Sequence, residues 1–147
     1  MSTGFLVIVW RILLTVILCG LIGAERGVRH KEAGLRTHVL VGVGSALIVL
    51  TSFHVFDIYK NVTTVDPTRI ISGIVTGVGF LCAGTIIQGG RGVRGLTTAA
   101  TLWIVAGIGM AVGSGDYTAA FVVAIAVFII LIGLRSFEKR LDEKFNE

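Results

Sequence analysis

Proline is all but absent from this chain, and the single one, Pro67, follows Asp66. No apolar run therefore carries a proline kink, and the pair reads as a helix start. Asp66 accepts an orphan amide at the N-cap, Pro67 fits the first helical position, and Arg69 shares that first turn. Charged residues are scarce as well, at 15% of the chain. A membrane enzyme would need an activated nucleophile, a metal cluster or paired acids, and none is visible, so a non-enzymatic protein with no cofactor and no metal set is expected. Of the two cysteines, Cys19 and Cys82 sit in different apolar runs and read as small packing residues. Leu18 before Cys19 is too large for a lipoprotein signal.

What the chain does have is apolar length. A mean hydropathy of +0.89 with 54% hydrophobic residues exceeds what a soluble domain of 147 residues can hide in one core. Lipid must be part of its solvent. An all-helix fold satisfies every backbone amide inside the bilayer, and the runs are long enough at 1.5 Å per residue. We read an all-α, polytopic membrane protein with five spans, at 4–24, 37–56, 70–90, 95–115 and 117–134. The fourth, rich in Thr and Gly at both ends, is the least uniform. Residues 1–135 form the transmembrane domain and 136–147 a short basic tail. No basic side chain precedes Arg11, unlike a signal peptide, so the first span is expected to be retained.

A short string occurs twice, RGVR at Arg26 to Arg29 and at Arg91 to Arg94, each time between apolar runs. Each copy is followed by a second match, Gly34-Leu35-Arg36-Thr37 and Gly95-Leu96-Thr97-Thr98. Two related helical hairpins, 4–56 and 70–115, plus a fifth helix are implied. Four extra residues, His30 to Ala33, separate the strings in the first copy, so its connector should be about one helical turn longer.

Lys and Arg are lopsided. The first connector holds Arg26, Arg29, Lys31 and Arg36, the third Arg91 and Arg94, and the tail Arg135, Lys139, Arg140 and Lys144. The second connector holds only Lys60 and Arg69, and the fourth none. The positive-inside rule puts the C-terminus in the cytoplasm and the N-terminus outside. The net charge of +4 then reflects topology and affinity for anionic headgroups, with no nucleic-acid partner required.

The 20 glycines need another explanation than loops. Gly73 with Gly77 and Gly109 with Gly113 are small-xxx-small pairs that let helix backbones approach closely, and Gly84 and Trp103 are expected in the same packed interior. Glu25 is the only carboxylate at the membrane end of a repeat hairpin. A structural ion pair with Arg26, Arg29, Arg36 and Arg94 is its expected role, because an acid there is costly unless paired. Arg36, Thr37, Arg94, Thr97 and Thr98 lie at the starts of the second and fourth spans, where free amides and helix dipoles make an anion site the sharper alternative to plain topology. Arg11 is expected to face protein, His38 and His54 to be hydrogen-bonded near the span ends, and Trp10 to join an outer aromatic belt.

From LIGAERGVRHKEAGLRTHVLVGVGSAL (21–47) through DPTRIISGIVTGVGFLCAGTII (66–87) to VRGLTTAATLWIVAGIGMAVGSGDY (93–117), the chain resembles the MgtC/SapB family of bacterial inner-membrane proteins. The resemblance implies five spans in the cytoplasmic membrane, a link to magnesium homeostasis and to stress adaptation, and control of other membrane proteins. Many relatives carry a soluble domain after the fifth span, whereas this chain stops about a dozen residues past Arg135. Virulence-type relatives tend to have Asn where Thr97 stands and Cys where Ile104 stands, so roles resting on those side chains do not carry over. A magnesium pore fits the residues poorly, since magnesium prefers carboxylates and here one glutamate faces several arginines. A regulatory membrane protein that binds another membrane protein complex, itself a homo-oligomer with a dimer favoured, is the expected function. A magnesium or other ion transporter or channel is the alternative.

Overall fold

The computed structural model describes residues 4–90 and 92–145, with the side chains of 135–145 excepted. Arg91 and the side chains of Arg135, Lys139, Arg140 and Lys144 thus lie outside the described residues. Five helices carry the fold: α1 (Phe5–Val28), α2 (Leu35–Tyr59), α3 (Pro67–Ala83), α4 (Leu96–Ser114) and α5 (Tyr117–Phe145), with a two-strand hairpin, β1 (Ile87–Gly89) and β2 (Gly92–Arg94), before α4. α5 is apolar through Leu134, and the tail continues it as helix through Phe145. α1, α2, α4 and the apolar part of α5 are long and apolar enough to cross a membrane.

α4 is the hub and packs on each of the other four helices. On one side it meets α1 and α5 through Leu18, Ile22, Val105, Ile108, Val112 and Val127; on the other it meets α2 and α3 through Val49, Ile74, Val78, Leu102 and Ala106. The Thr and Gly content that made this span look irregular is what lets it be central. Where lipid supplies no hydrophobic force between helices, close van der Waals contact must, and small residues allow it. A Cβ placed on Gly109 would fall on the carbonyl oxygen of Gly42, and one on Gly113 would come within 2.9 Å of the Ala46 carbonyl oxygen. Gly42 in turn faces the Cys19 sulfur of α1.

α3 is shorter than expected. It starts as the sequence indicates, with Asp66 accepting from the Thr68 amide at 2.9 Å and Pro67 in the first turn, but ends at Ala83 rather than near Gly90. Its 17 residues span about 25 Å at 1.5 Å per residue, short of the roughly 30 Å hydrocarbon layer. The β-branched run Thr85-Ile86-Ile87 followed by Gly89 and Gly90 favours an extended turn over helix. The hairpin that results pairs Ile87 with Arg94, Gln88 with Val93 and Gly89 with Gly92. That is the one departure from an all-helix chain among the described residues.

The hairpin also reverses the expectation for connector length. The first RGVR string remains in α1 up to its C-cap Arg29, leaving 30–34 as a short link, while Gly92 to Arg94 of the second string form β2. The third connector is therefore the longer one. Of the second pair of strings, Gly34 and Gly95 are the N-cap residues of α2 and α4, the first extended and the second left-handed.

Candidate functional site

The ends of the bundle differ in chemistry. At the end away from the RGVR strings, Arg11 turns inward and donates to the Gly113 carbonyl at 2.6 Å and to the Tyr117 hydroxyl at 3.2 Å, tying α1 to the α4–α5 turn. Asp66 and Asp116 cap α3 and α5 rather than stand free, Asp116 accepting from the Ala119 amide at 3.0 Å. Two hydrogen bonds from its neighbour Thr68, from the hydroxyl first and then the amide, hold Asp66 below the usual carboxylate range. Asp57 and Lys60 pair at 2.9 Å. Arg69 is exposed in the first turn of α3, and Trp10 projects outward from α1 near this end.

The opposite end holds the first and third connectors and most of the candidate residues. Glu25 and Arg26 close α1, with both side chains under a tenth exposed. Glu25 Oε1 accepts from Arg29 Nε at 3.1 Å, while Oε2 stands 3.7 Å from an Arg26 guanidinium nitrogen. The second distance permits charge attraction but is too long for a hydrogen bond. Arg36 is not part of this pairing. α2 begins at Leu35, two residues before the expected start, and its helical phase turns His38 into the core while Arg36 and Thr37 line a groove against α3. No ion pair links Glu25 to Arg94 among the described residues either. The glutamate is held from its own end of α1, by the hydrogen bond from Arg29 four residues on, with Arg26 beside it at charge-attraction distance.

Arg94, Thr97 and Thr98 instead gather with Arg26, Lys31 and Glu32 around a cavity of about 520 Å³. A second cavity of about 360 Å³ lies between Glu25, Arg26, Arg29, Lys31, Thr97 and the α5 residues Ile130, Leu131 and Leu134. Glu32, which sequence reasoning passed over as a connector acid, accepts from the buried Thr98 hydroxyl at 2.6 Å. That bond, ahead of smaller contributions from a backbone amide, Lys31 and Arg26, holds Glu32 below the usual carboxylate range. Because the folded-state pKa is depressed, the link is at full strength above pH about 4.5 and is lost as pH falls through the lowered value. No local signal distinguishes Glu32 from a solvated acid, since Thr98 is 66 residues away.

His38 is fully buried and bridges α2 to α4, its Nδ1 2.9 Å from the Gly34 carbonyl and its Nε2 3.1 Å from the Thr101 hydroxyl. His54 is exposed. Both cysteine thiols are buried and point at α4 carbonyls, Cys19 at Val105 and Cys82 at Ala99. Trp103, expected in the interior, is 53% exposed on the outside of α4, because close packing reserves the inner face for smaller residues such as Leu102 and Ala106. Gly109 and Gly113 sit in the α2–α4 contact, whereas at Gly73 and Gly77 a Cβ would meet nothing within 4 Å, and both line the groove. Gly84 meets only the last carbonyls of its own helix, so it is not a helix-packing residue.

Among the described residues no group of three or more His, Cys, Asp or Glu side chains could hold a metal ion. The fold and these polar ends define a polytopic α-helical integral membrane protein. More narrowly, the chain belongs to the MgtC family, whose sequence pattern matches residues 12–140. It is 43% identical over 136 residues to the Escherichia coli K12 protein named "Putative magnesium transporter YhiD", which covers 91% of this chain and 63% of that protein. It is 42% identical over 132 residues to Protein MgtC of Salmonella typhimurium LT2, covering 90% and 54%. Protein MgtC of Brucella abortus is 46% identical over 118 residues, covering 79% and 45%. The chain thus spans about half to two thirds of the length of these relatives. No solved structure matches it.

Proposed function

We propose that the protein is a non-catalytic, regulatory component of the bacterial inner membrane, serving magnesium homeostasis and stress adaptation by binding other membrane proteins. The observation that carries this reading is the groove between α2 and α3, about 530 Å³ in volume. Its floor is glycine, Gly44, Gly73 and Gly77, with no neighbouring side chain or backbone within 4 Å of where a Cβ would stand. Leu40, Ile48 and Leu81 form its apolar walls, and Arg36 and Thr37 its polar end. A transmembrane helix of a partner protein fits such a track, since small residues let backbones approach and the short α3 leaves the bilayer locally mismatched. A second copy of the chain is the competing occupant, giving a dimer.

The runner-up reading, ion transport, draws support from the name of the YhiD relative. Both are tested on one preparation. Gly73→Leu with Gly77→Leu should keep the fold but lower recovery of a crosslinked membrane partner by about ten- to a hundredfold, the effect of about 1–3 kcal/mol of overpacking. Magnesium flux in proteoliposomes above that of empty vesicles, or partner recovery unchanged by the double substitution, would reject the regulatory reading.

The proposed topology places the basic end in the cytoplasm, supported by Arg26, Arg29, Lys31, Arg36 and Arg94 at that end. The shared glycine starts of α2 and α4 support reading the two hairpins as related units. Cysteine at exposed Asn61 is expected to react with an impermeant thiol reagent in intact cells, and cysteine at exposed Gln88 only after permeabilisation. The two native thiols are buried and contribute little background. The reverse labelling pattern would invert the topology.

A further inference from the structure

We propose that the paired cavities at the basic end form a binding site for a phosphate-bearing anion, separate from the α2–α3 groove and independent of what occupies that groove. Three observations converge on it. Arg26 borders both cavities, is only 5% exposed, and its side chain makes no hydrogen bond among the described residues; its Nε is wholly buried without an acceptor. A guanidinium carries five donors, and a buried donor left unmet is costly unless a ligand or water supplies an acceptor. Its attraction to Glu25 stands at 3.7 Å, too long for a hydrogen bond, and Glu25 Oε2 is likewise buried without a hydrogen-bond partner.

The second observation is the start of α4. This 19-residue helix begins at Leu96 with Gly95 in a left-handed conformation and no side chain capping it. Its first residues, Leu96, Thr97 and Thr98, line the larger cavity, at the end where a helix carries free amides and the positive end of its dipole, and Thr97 is exposed there. The Glu32 carboxylate bonded to Thr98 already shows that an acid oxygen is accepted at this helix end. Third, Arg26, Arg29, Lys31 and Arg94 line the two cavities against two carboxylates, Glu25 and Glu32, and neither Lys31 nor Arg94 forms an ion pair among the described residues.

This charge excess repels a divalent cation and suits a group with several charged oxygens, which phosphate offers and a single carboxylate does not. The shared chemistry is a phosphate group, on a lipid or free in solution. Ile130, Leu131 and Leu134 of α5 continue the smaller cavity into an apolar wall along which an acyl chain could run.

The test uses the purified full chain. One arm titrates inorganic phosphate into the protein in detergent and follows thermal unfolding; the other measures by native mass spectrometry the retention of phosphatidic acid against phosphatidylcholine. Saturable stabilisation by inorganic phosphate identifies a soluble ligand, and selective retention of phosphatidic acid a lipid. Either should weaken about tenfold in Arg94→Gln and in Lys31→Gln, and be unchanged in Lys60→Gln at the far end. Arg26→Gln is expected to abolish binding, and the two exposed substitutions keep the proposal testable if that variant fails to fold. No saturable binding of either probe would overturn the proposal. So would binding that Arg94→Gln and Lys31→Gln leave intact, or that Lys60→Gln weakens equally.

Discussion

Gly109→Leu is expected to abolish the folded bundle. A Cβ at this position falls on the backbone carbonyl of Gly42, and a leucine side chain would drive α2 and α4 apart along the contact that organises the whole fold. Overpacking a well-filled interior costs about 1–3 kcal/mol when side chains can adjust. Here the obstacle is backbone, and separating the helices would also expose the His38–Thr101 link between them, so the loss should exceed that range. Gly77→Leu is the matched control, since its Cβ position is open. Size-exclusion profiles and thermal midpoints in detergent should show the first variant aggregated or poorly expressed and the second close to wild type. Equal behaviour of the two would mean that the α2–α4 contact is not as tight as described.

Glu25→Ala is expected to cost about 3 to 5 kcal/mol, because it leaves Arg26 buried with no opposite charge beside it. Arg29 contributes little to this penalty, since its side chain is 38% exposed and water can replace the glutamate. Removing both buried charges together, in Glu25→Ala with Arg26→Met, should recover much of the loss. Removing Arg36 instead, in Glu25→Ala with Arg36→Leu, should recover none, as Arg36 belongs to the groove. Thermal midpoints with and without millimolar magnesium would check both statements. Magnesium-specific stabilisation of the wild type that Glu25→Ala and Glu25→Gln both erase would make Glu25 a metal ligand and raise transport above the regulatory reading.

The contrast between Arg36 and Glu32 shows where the legibility of the site stopped. Sequence proximity grouped Glu25 with every nearby arginine, but on a helix residues three and four positions apart are the ones that face each other, and a turn lies between Glu25 and Arg36. Glu32 looked like a solvated connector acid because its partner, Thr98, is close only after α1–α2 and α4 have packed. Trp103 was misplaced for a related reason: apolarity marks a residue as membrane-embedded without saying whether it faces protein or lipid. The hairpin after α3 did leave a trace, as β-branched residues flanking paired glycines are a turn signal that the length of the apolar run concealed.

By itself, the sequence determined the membrane class, the helical character, the number and order of the five helices, the Asp66-Pro67 start of α3 and the clustering of arginine in two connectors. These follow from hydropathy, residue spacing and local backbone chemistry, each acting within a few turns of one helix. Only the tertiary structure decided that α4 is the hub, that Gly109 meets Gly42 while Gly73 and Gly77 stay open, and that Arg26 borders the two polar cavities while Arg36 lines the α2–α3 groove. Those outcomes depend on helix rotation and on which backbones can approach most closely, and in a bilayer, where every apolar face is equally compatible with lipid, packing alone distinguishes the inner face of a helix from the outer.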